Sequence, residues 1–591
     1  MLRLHCSSKR GVNYIHSITS SVNTLRLATV LFVLSVLFAL PANAKPGDTD
    51  KSFGVNGLVT VALDTTTQIS SSGVASVHSL PDGRTLLVGA CFMALGGMNI
   101  PCLARLTASG LPDLTFNSTG RSTSPRNGFM QQFGTTASVL EVGGATSILG
   151  VDTRYFERVS AAGQFDPATN GLPTHPNIFS WGSKSILRQG DKLIVGGYCL
   201  LNGDYPNNSM IVNSGRYCLL RYGADGAVDS SFGTDGLAEL PMMGRDLSLV
   251  DISRVTLDTA ARPLAAYPCA GTCVIRWTES GQLDTSFGTN GIARFPIGYS
   301  FGTFNSGTSA VLVQKSGRIL VTGGCQDGTG STTSAVTFCV VAFDSTGNVD
   351  PTFGTAGLQQ MQVDSALVSS YSTDARVASD DSFFLVGYCT DKLVGQAPRI
   401  VKLCLTAHNS NGTLRSEFGT AGKLVFADFK SVSPRISLDG RGRVVIGTEC
   451  GTYPYLCLLR IHGKQSRFDL DNDNESLSET DAILYLRHLL GFRGAALTTG
   501  AFGTYADRTS ATDIATYLST PNPTYPNCSA SIVGAPGGPQ AMLDGIVLLR
   551  AMMGLNGDAV TNGIAFPAGT ARTSWVDIRA HLNGNCGMVL N

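Results

Sequence analysis

Short runs of β-branched and other apolar residues, broken every few positions by glycine, aspartate or serine, cover most of the chain. Ala310–Gln314, Ile319–Cys325 and Phe338–Phe343 form one such set, with turn residues at Lys315–Arg318 and Asp344–Gly347. Lys192–Cys199 with Tyr217–Tyr222, and Arg443–Gly447 with Tyr455–Arg460, repeat it. The pattern predicts short strands joined as hairpins, and no helical period competes with it. Doubled glycines at the end of the second strand, such as Gly196-Gly197 and Gly323-Gly324, allow close approach of backbones near a crowded axis.

One phrase punctuates these sets. Its cleanest copy is Asp284-Thr285-Ser286-Phe287-Gly288-Thr289-Asn290-Gly291. Asp229–Gly236 and Asp350–Gly357 are close copies, and Asp50–Gly57 opens the series. Arg415–Gly422 loses the aspartate, while Asp113–Gly120 and Gln164–Gly171 are worn versions. The anchor phenylalanines are Phe53, Phe116, Phe165, Phe232, Phe287, Phe353, Phe418 and Phe468, spaced by 49 to 67 residues. Eight anchors enclose seven units, each long enough for a four-stranded sheet. A repeat of this length points to a propeller. The expectation is an all-β seven-bladed propeller over residues 45–463, followed by a small, mainly α domain. The strand Gly57–Leu63 should complete the last blade and close the ring. The phenylalanine should plug the space between blades, and the aspartate and glycines should shape a tight turn.

With these phrases, residues 47–463 resemble the delta-60 repeat family, whose units carry a Leu-Asp-x-x-Phe-Gly-x-x-Gly signature. The resemblance implies a propeller-like, extracytoplasmic protein and brings no catalytic activity with it.

Fifteen cysteines are present, and Cys6 lies in the N-terminal segment treated below. Twelve form local pairs at one place in the repeat: Cys91/Cys102, Cys199/Cys218, Cys269/Cys273, Cys325/Cys339, Cys389/Cys404 and Cys450/Cys457. Cys528 and Cys586 remain, both in the C-terminal region. Spacing alone leaves connectivity open, but recurrence of the pair in six units predicts one disulfide per hairpin. The rival, zinc binding, lacks accompanying histidines and a constant spacing. Disulfides fit an exported chain. Residues 1–44 read as a signal peptide: Lys9, Arg10 and Arg26 precede the apolar run Leu27–Leu40, and Pro41-Ala42-Asn43-Ala44 supplies the cleavage signature. The charged stretch ahead of that run is long, and the apolar run is short for a membrane span. The expected location is secreted, periplasmic or at the cell surface, with no membrane span after removal of the signal. Net charge is zero with 15% charged residues, which removes the electrostatic case for a nucleic-acid partner.

Character changes after Lys464. Asp469, Asp471 and Asp473 alternate ahead of a helix-like stretch, Glu479–Gly491. Alternating carboxylates can converge on a hard cation, as in an EF-hand loop. The expected ligands to one Ca2+ are the side chains of Asp469, Asp471 and Asp473, the backbone carbonyl of Glu475, and Asp481 one place beyond the usual twelfth position. A solvated acidic helix cap is the plainer reading of the same residues. Asp481–Gly491 is repeated as Asp544–Gly554, and Ala511–Leu518 as Ser574–Leu582. On this duplication, residues 465–591 resemble a dockerin-like domain, which implies attachment to a protein partner. The second half should bind no cation, since Ile532, Gly534 and Pro536 stand where carboxylates would be. Cys528 and Cys586 would staple it instead.

The histidines beyond residues 1–44, His78, His175, His408, His462, His488 and His581, are dispersed, and no nucleophile elbow or zinc motif is present. Two functions stay open. One is a binding protein whose propeller loops take a carbohydrate or protein ligand and whose tail docks. The other is an extracellular propeller hydrolase or lyase acting on polysaccharide. Clustered carboxylates or histidines around the central channel would favour the enzyme.

Overall fold

The computed structural model describes residues 46–590, apart from 63–68, 94–97, 124–137, 143–145, 152–154, 166–174, 202–215, 225, 240–254, 270, 296–307, 327–334, 393–399, 430–432, 451–454, 464–465, 474, 504–505, 507, 523–524 and 589. The signal-peptide expectation concerns residues 1–44 and lies outside the described residues. Among those described, no helix is long and apolar enough to cross a membrane.

The repeat folds as antiparallel meanders, each running outward from its first strand. Sheet 1 is Ile69–Ser79, Thr85–Met93, Met98–Leu106 and Arg121–Thr123. Sheet 3 is Ile178–Gln189, Lys192–Leu201, Arg216–Tyr222 and Leu237–Glu239. Sheet 4 is Thr256–Leu257, Pro263–Cys269, Gly271–Arg276 and Ile292–Phe295. Sheet 5 is Thr308–Val313, Ile319–Gln326, Val336–Phe343 and Leu358–Met361. Sheet 6 is Ser369–Val377, Phe383–Thr390, Val401–His408 and Lys423–Phe426. Sheet 7 combines Arg435–Leu438, Val444–Glu449 and Leu456–Ile461 with the N-terminal strand Leu58–Val61.

Among the described residues six complete four-stranded blades are present, not the seven expected. The second unit gives a three-stranded sheet, Ser138–Val142, Thr146–Val151 and Tyr155–Ser160. It is the shortest unit between anchors, shares its 49-residue spacing with no other, and its phrase runs into residues 166–174, outside those described. This sheet lies between sheets 1 and 3, and first strands pack on one another between most neighbouring sheets, with Val255 packing against sheet 3 between sheets 3 and 4. Closure follows the expected route: Leu58 pairs with Leu459 and Val61 with Leu456.

The anchor phenylalanines fill the seams between sheets. Phe287 packs with Leu264 and Val274 of sheet 4 and with Val311, Ile319 and Phe343 of sheet 5. Phe53 does the same between sheets 7 and 1. Phe468, counted as the eighth anchor, belongs elsewhere: it packs with Leu484, Tyr485 and Ile514 in the core of the C-terminal module. The phrase that serves the last sheet is the N-terminal one, because a ring has as many seams as sheets. The glycines of the phrase are fixed by its backbone. Gly288 and Gly291 take φ of 53° and 87°, and a Cβ on Gly288 would come 2.3 Å from the Ile292 carbonyl oxygen.

A buried arginine completes the seams that follow sheets 1, 3, 4 and 7. Arg276, on the third strand of sheet 4, donates through Nε to Asp284 Oδ2 (2.8 Å) and through Nη1 across to Ser345 O of sheet 5 (2.7 Å). Its guanidinium lies 4.2 Å from the Phe287 ring centroid. Asp284 Oδ1 accepts from the Ser286 amide and hydroxyl, so one carboxylate holds both the turn and the arginine. Arg105, Arg221 and Arg460 repeat the arrangement, reaching Ala161, Glu279 and Ala108 respectively. Sheets 5 and 6 have Ala342 and Ala407 at that place. In sheet 5, Arg318 from the first hairpin takes over, with Nε on Asp350 Oδ2 (2.7 Å) and Nη1 on Ser410 O (3.1 Å). In sheet 6 the charge is transposed: Arg415 stands where the aspartate would be and pairs with Glu417 (3.0 Å). Burial would raise the Asp50 carboxyl, yet Arg460 and Arg443, with the Ser52 hydroxyl, hold it at about 2.

Disulfides join Cys199–Cys218, Cys269–Cys273, Cys325–Cys339, Cys389–Cys404, Cys450–Cys457 and Cys528–Cys586. Cys102 is also disulfide-bonded, and the Cys91 side chain lies outside the described ones. The propeller bridges run diagonally across their hairpins: Gly197 faces Cys218, Gly323 faces Cys339 and Gly387 faces Cys404. Gly387 is also where a first strand comes closest, since a Cβ there would meet Tyr371 O at 1.8 Å.

Two outcomes follow. Arg276→Ala leaves the largely buried Asp284 without its main partner and should cost about 3–5 kcal/mol in chemical denaturation; a loss under 1 kcal/mol would remove the seam from the stability argument. Replacing Cys325 and Cys339 together by alanine should cost about 2–4 kcal/mol, and replacing Cys269 and Cys273, only 4 positions apart, should cost less. Denaturant midpoints of the two double variants give the comparison.

Candidate functional site

The C-terminal module is a duplicated pair of loops and helices. A π turn, Ser478–Ala482, leads into the helix Ile483–Leu489, and Ala541–Gly545 leads into Ile546–Met552 in the same way. The helices Ala511–Ser519 and Trp575–Ala580 start at Ser510 and Ser574, whose side chains accept from the amides of Asp513 and Asp577. Arg487 Nη1 donates to Leu497 O and Thr499 O, and Arg550 Nη1 to Val560 O and Asn562 O. Those two arginines therefore tie each helix to the turn that follows it.

Hydrogen bonds fix the correspondence of the two loops. Arg508 donates through Nη1 to Asp469 O and Leu470 O, and its amide donates to Asp471 O. Arg572 repeats this on Ser531 O, Ile532 O and Val533 O. Asp469, Asp471 and Asp473 are thus matched by Ser531, Val533 and Ala535, one place earlier than the residues expected from sequence. None of the three carries a charge.

In the first loop the three aspartates come together, with a carboxylate oxygen of each within 4.8 Å of the others. Asp469 and Asp471 are fully buried. Burial first, and then the charges of neighbouring aspartates, push the Asp469 carboxyl well up and bring Asp473 to about 8. Asp471 Oδ2 accepts from the Gly503 amide (2.7 Å), while its Oδ1 is buried without a donor. Gly503 leaves the space beside them open: a Cβ there would lie 2.1 Å from Asp473 Oδ2. Three converging, acceptor-only groups with an unsatisfied oxygen fit a hard, oxygen-seeking cation. They do not fit a solvated cap, which would leave its carboxylates in water.

Asp481 and Glu475 are placed differently. Asp481 accepts from the amides of Leu470 (2.5 Å), Asp471 (3.3 Å) and Leu477 (2.9 Å) and from the Thr480 hydroxyl. Asp544 does the same for Val533 and Gln540 in the half that has no acidic loop. The shared role is to pin the loop onto the helix. The Glu475 amide donates to Asp473 Oδ1 (2.8 Å), and its carboxylate pairs with Arg441 and Arg443 of sheet 7. A second group of metal-type ligands, Cys528, His581 and Cys586, is closed by the disulfide, with His581 Nε2 3.6 Å from Cys586 Sγ.

Several charged groups on or near the first strands are engaged in structure. Asp374 accepts from the amides of Ala375 and Ile436 and from Arg376. Arg435 donates to Ala75 O, Thr373 O and Pro434 O, bridging three sheets. Glu449, near Gly73 of sheet 1, has its carboxyl pushed up by burial. His408 is buried, stacked on Phe383 at 4.6 Å and bonded to Thr406 and Gly412. The seam arginines were missed in the sequence, although Cys-x-x-Arg recurs at Cys102, Cys218, Cys273 and Cys457.

No family model matches the chain, and no curated protein does either. Among solved structures, the extracellular domain of a one-component system from B. thetaiotaomicron aligns at 12% identity and TM-score 0.35, over 69% of this chain and 41% of that one. A mutant Trypanosoma rangeli sialidase with trans-sialidase activity aligns at 10% identity and TM-score 0.33, over 70% of this chain and 59% of that one. The NanB sialidase from Streptococcus pneumoniae aligns at 9% identity and TM-score 0.35, over 69% and 71%. The match thus spans less than half of the first of these proteins, and scores of this size carry no functional inference.

Gly503→Ala should push the Asp473 carboxylate aside, and any Ca2+ binding by this loop should weaken by about 10–100-fold. Titration calorimetry of the variant against the parent chain checks it, and equal affinities would remove the loop from consideration.

Proposed function

We propose that the protein is a secreted or cell-surface binding protein: a seven-unit delta-60 repeat propeller carrying a dockerin-like, Ca2+-binding docking module. The observation that carries this reading is the duplicated module in which one half gathers Asp469, Asp471 and Asp473 and the other replaces them by uncharged residues. The first half would hold one Ca2+ through those three side chains, with the Glu475 carbonyl and Asp481 as further candidates. The metal would neutralise buried charges that otherwise repel, so the loop would order on binding. The second half is held by Cys528–Cys586 instead. Leu490 and Phe492 after the first helix, and Met553 and Leu555 after the second, are exposed at matching places, which supports attachment to a protein partner.

In the propeller, the three-stranded sheet is read as a seventh blade, giving a closed ring whose loops take a carbohydrate or protein ligand. Several disulfides agree with an oxidising, extracytoplasmic location. The alternative, hydrolysis or lysis of polysaccharide, would call for carboxyl groups free to face a substrate. Asp374 is committed to backbone amides and Arg376, which leaves Glu449, among the described residues, as the carboxyl such chemistry would have to use.

Calorimetric titration of the full mature chain with Ca2+ should give one ion per chain. Two ions would contradict the reading of the second half, and none at millimolar Ca2+ would reduce the loop to a structural element.

A further inference from the structure

Glu475 stands between the acidic loop and the seam that closes the ring. On one side its amide is bound to Asp473 Oδ1. On the other, its two carboxylate oxygens take Arg441 and Arg443. Arg443 also holds Asp439 (2.7 Å) and Asp50 (3.0 Å). Asp50 in turn holds Arg460 (2.6 Å), whose Nη1 crosses to Ala108 O of sheet 1 (2.6 Å). A continuous path of charged contacts therefore runs from the loop aspartates to the place where the N-terminal strand meets the last sheet.

This seam differs from the others. In sheets 1, 3 and 4 the hairpin cation is Arg84, Lys192 or Arg262, and its carboxylate partners come from the propeller itself. At sheet 7 a carboxylate from the C-terminal module is added. The closing seam is also the one that joins residues far apart in sequence, Asp50 to Arg460 and Leu58 to Leu459, so it carries the largest loop-closure cost.

We infer that Glu475 couples cation occupancy of the Asp469–Asp473 loop to closure of the propeller ring. The inference rests on the reading that this loop binds Ca2+. With the cation bound, the loop is fixed and Glu475 is held within reach of both arginines. Without it, the three carboxyls have no shared partner, the loop loosens, Glu475 shifts with Asp473, and Arg443 loses a partner at the closing seam. Coupling is reciprocal: the contact with the arginines must tighten Ca2+ binding by the factor by which Ca2+ tightens the contact.

The test uses the full mature chain, with and without Ca2+, as parent, Glu475→Gln and Arg441→Ala. Arg441 is half-exposed, so its removal leaves the buried seam intact even if Glu475→Gln disturbs folding. Hydrogen exchange is followed in the closing strands Leu58–Val61 and Leu456–Ile461, and Ca2+ affinity by calorimetry. In the parent, Ca2+ should slow exchange in both strands by about fivefold or more, and each variant should lose that protection and bind Ca2+ about fivefold more weakly. Ca2+ binding by the parent with unchanged exchange in the closing strands would overturn the coupling alone. Absence of Ca2+ binding by the parent would overturn the coupling together with the reading it rests on.

Discussion

The buried arginine between blades is the interaction on which the rest of the propeller depends. Each sheet offers two apolar faces to its neighbours, and apolar packing alone has no preferred register. Arg276 supplies one, because its nitrogens must find Asp284, Ser345 O and the Phe287 ring together. A guanidinium buried without those partners would be costly, so the seam forms correctly or not at all. The aspartate, serine, phenylalanine and glycines of the repeated phrase are the socket for that one side chain.

The exceptions support the same constraint. Where the third strand carries Ala342, the arginine moves to Arg318 and the aspartate stays. Where it carries Ala407, the arginine moves into the phrase as Arg415 and the aspartate goes. What is preserved in these sheets is a cation beside a carboxylate and near an aromatic ring. The position that supplies it varies. The last sheet adds the Glu475 carboxylate, which ties the helical module to the ring.

The C-terminal module shows one scaffold supporting two chemistries. Asp481 and Asp544 pin their loops in the same way, and Arg508 and Arg572 cradle the loop carbonyls in the same way. Within that frame, the three side chains facing the loop interior are carboxylates in one half and Ser531, Val533 and Ala535 in the other. Frame and ligand set are separable because the frame is held by backbone groups that any residue provides.

By itself, the sequence determined the repeat, the strand pattern, the ring-closing N-terminal strand, the cysteine pairs and the acidic loop. These are legible because they rest on local periodicity and on recurrence, and a repeated phrase reports its own register. The tertiary structure alone decided what spans the seams. That Arg276 meets Ser345 O, that Phe468 serves the helical core and not a blade, and that Glu475 turns toward Arg443 are contacts between segments with no fixed spacing along the chain. The one-residue shift that sets Val533 opposite Asp471 is of the same kind. A shared helix pattern aligns helices, but only the arginine bonds to the loop carbonyls count residues inside a loop, where periodicity is silent.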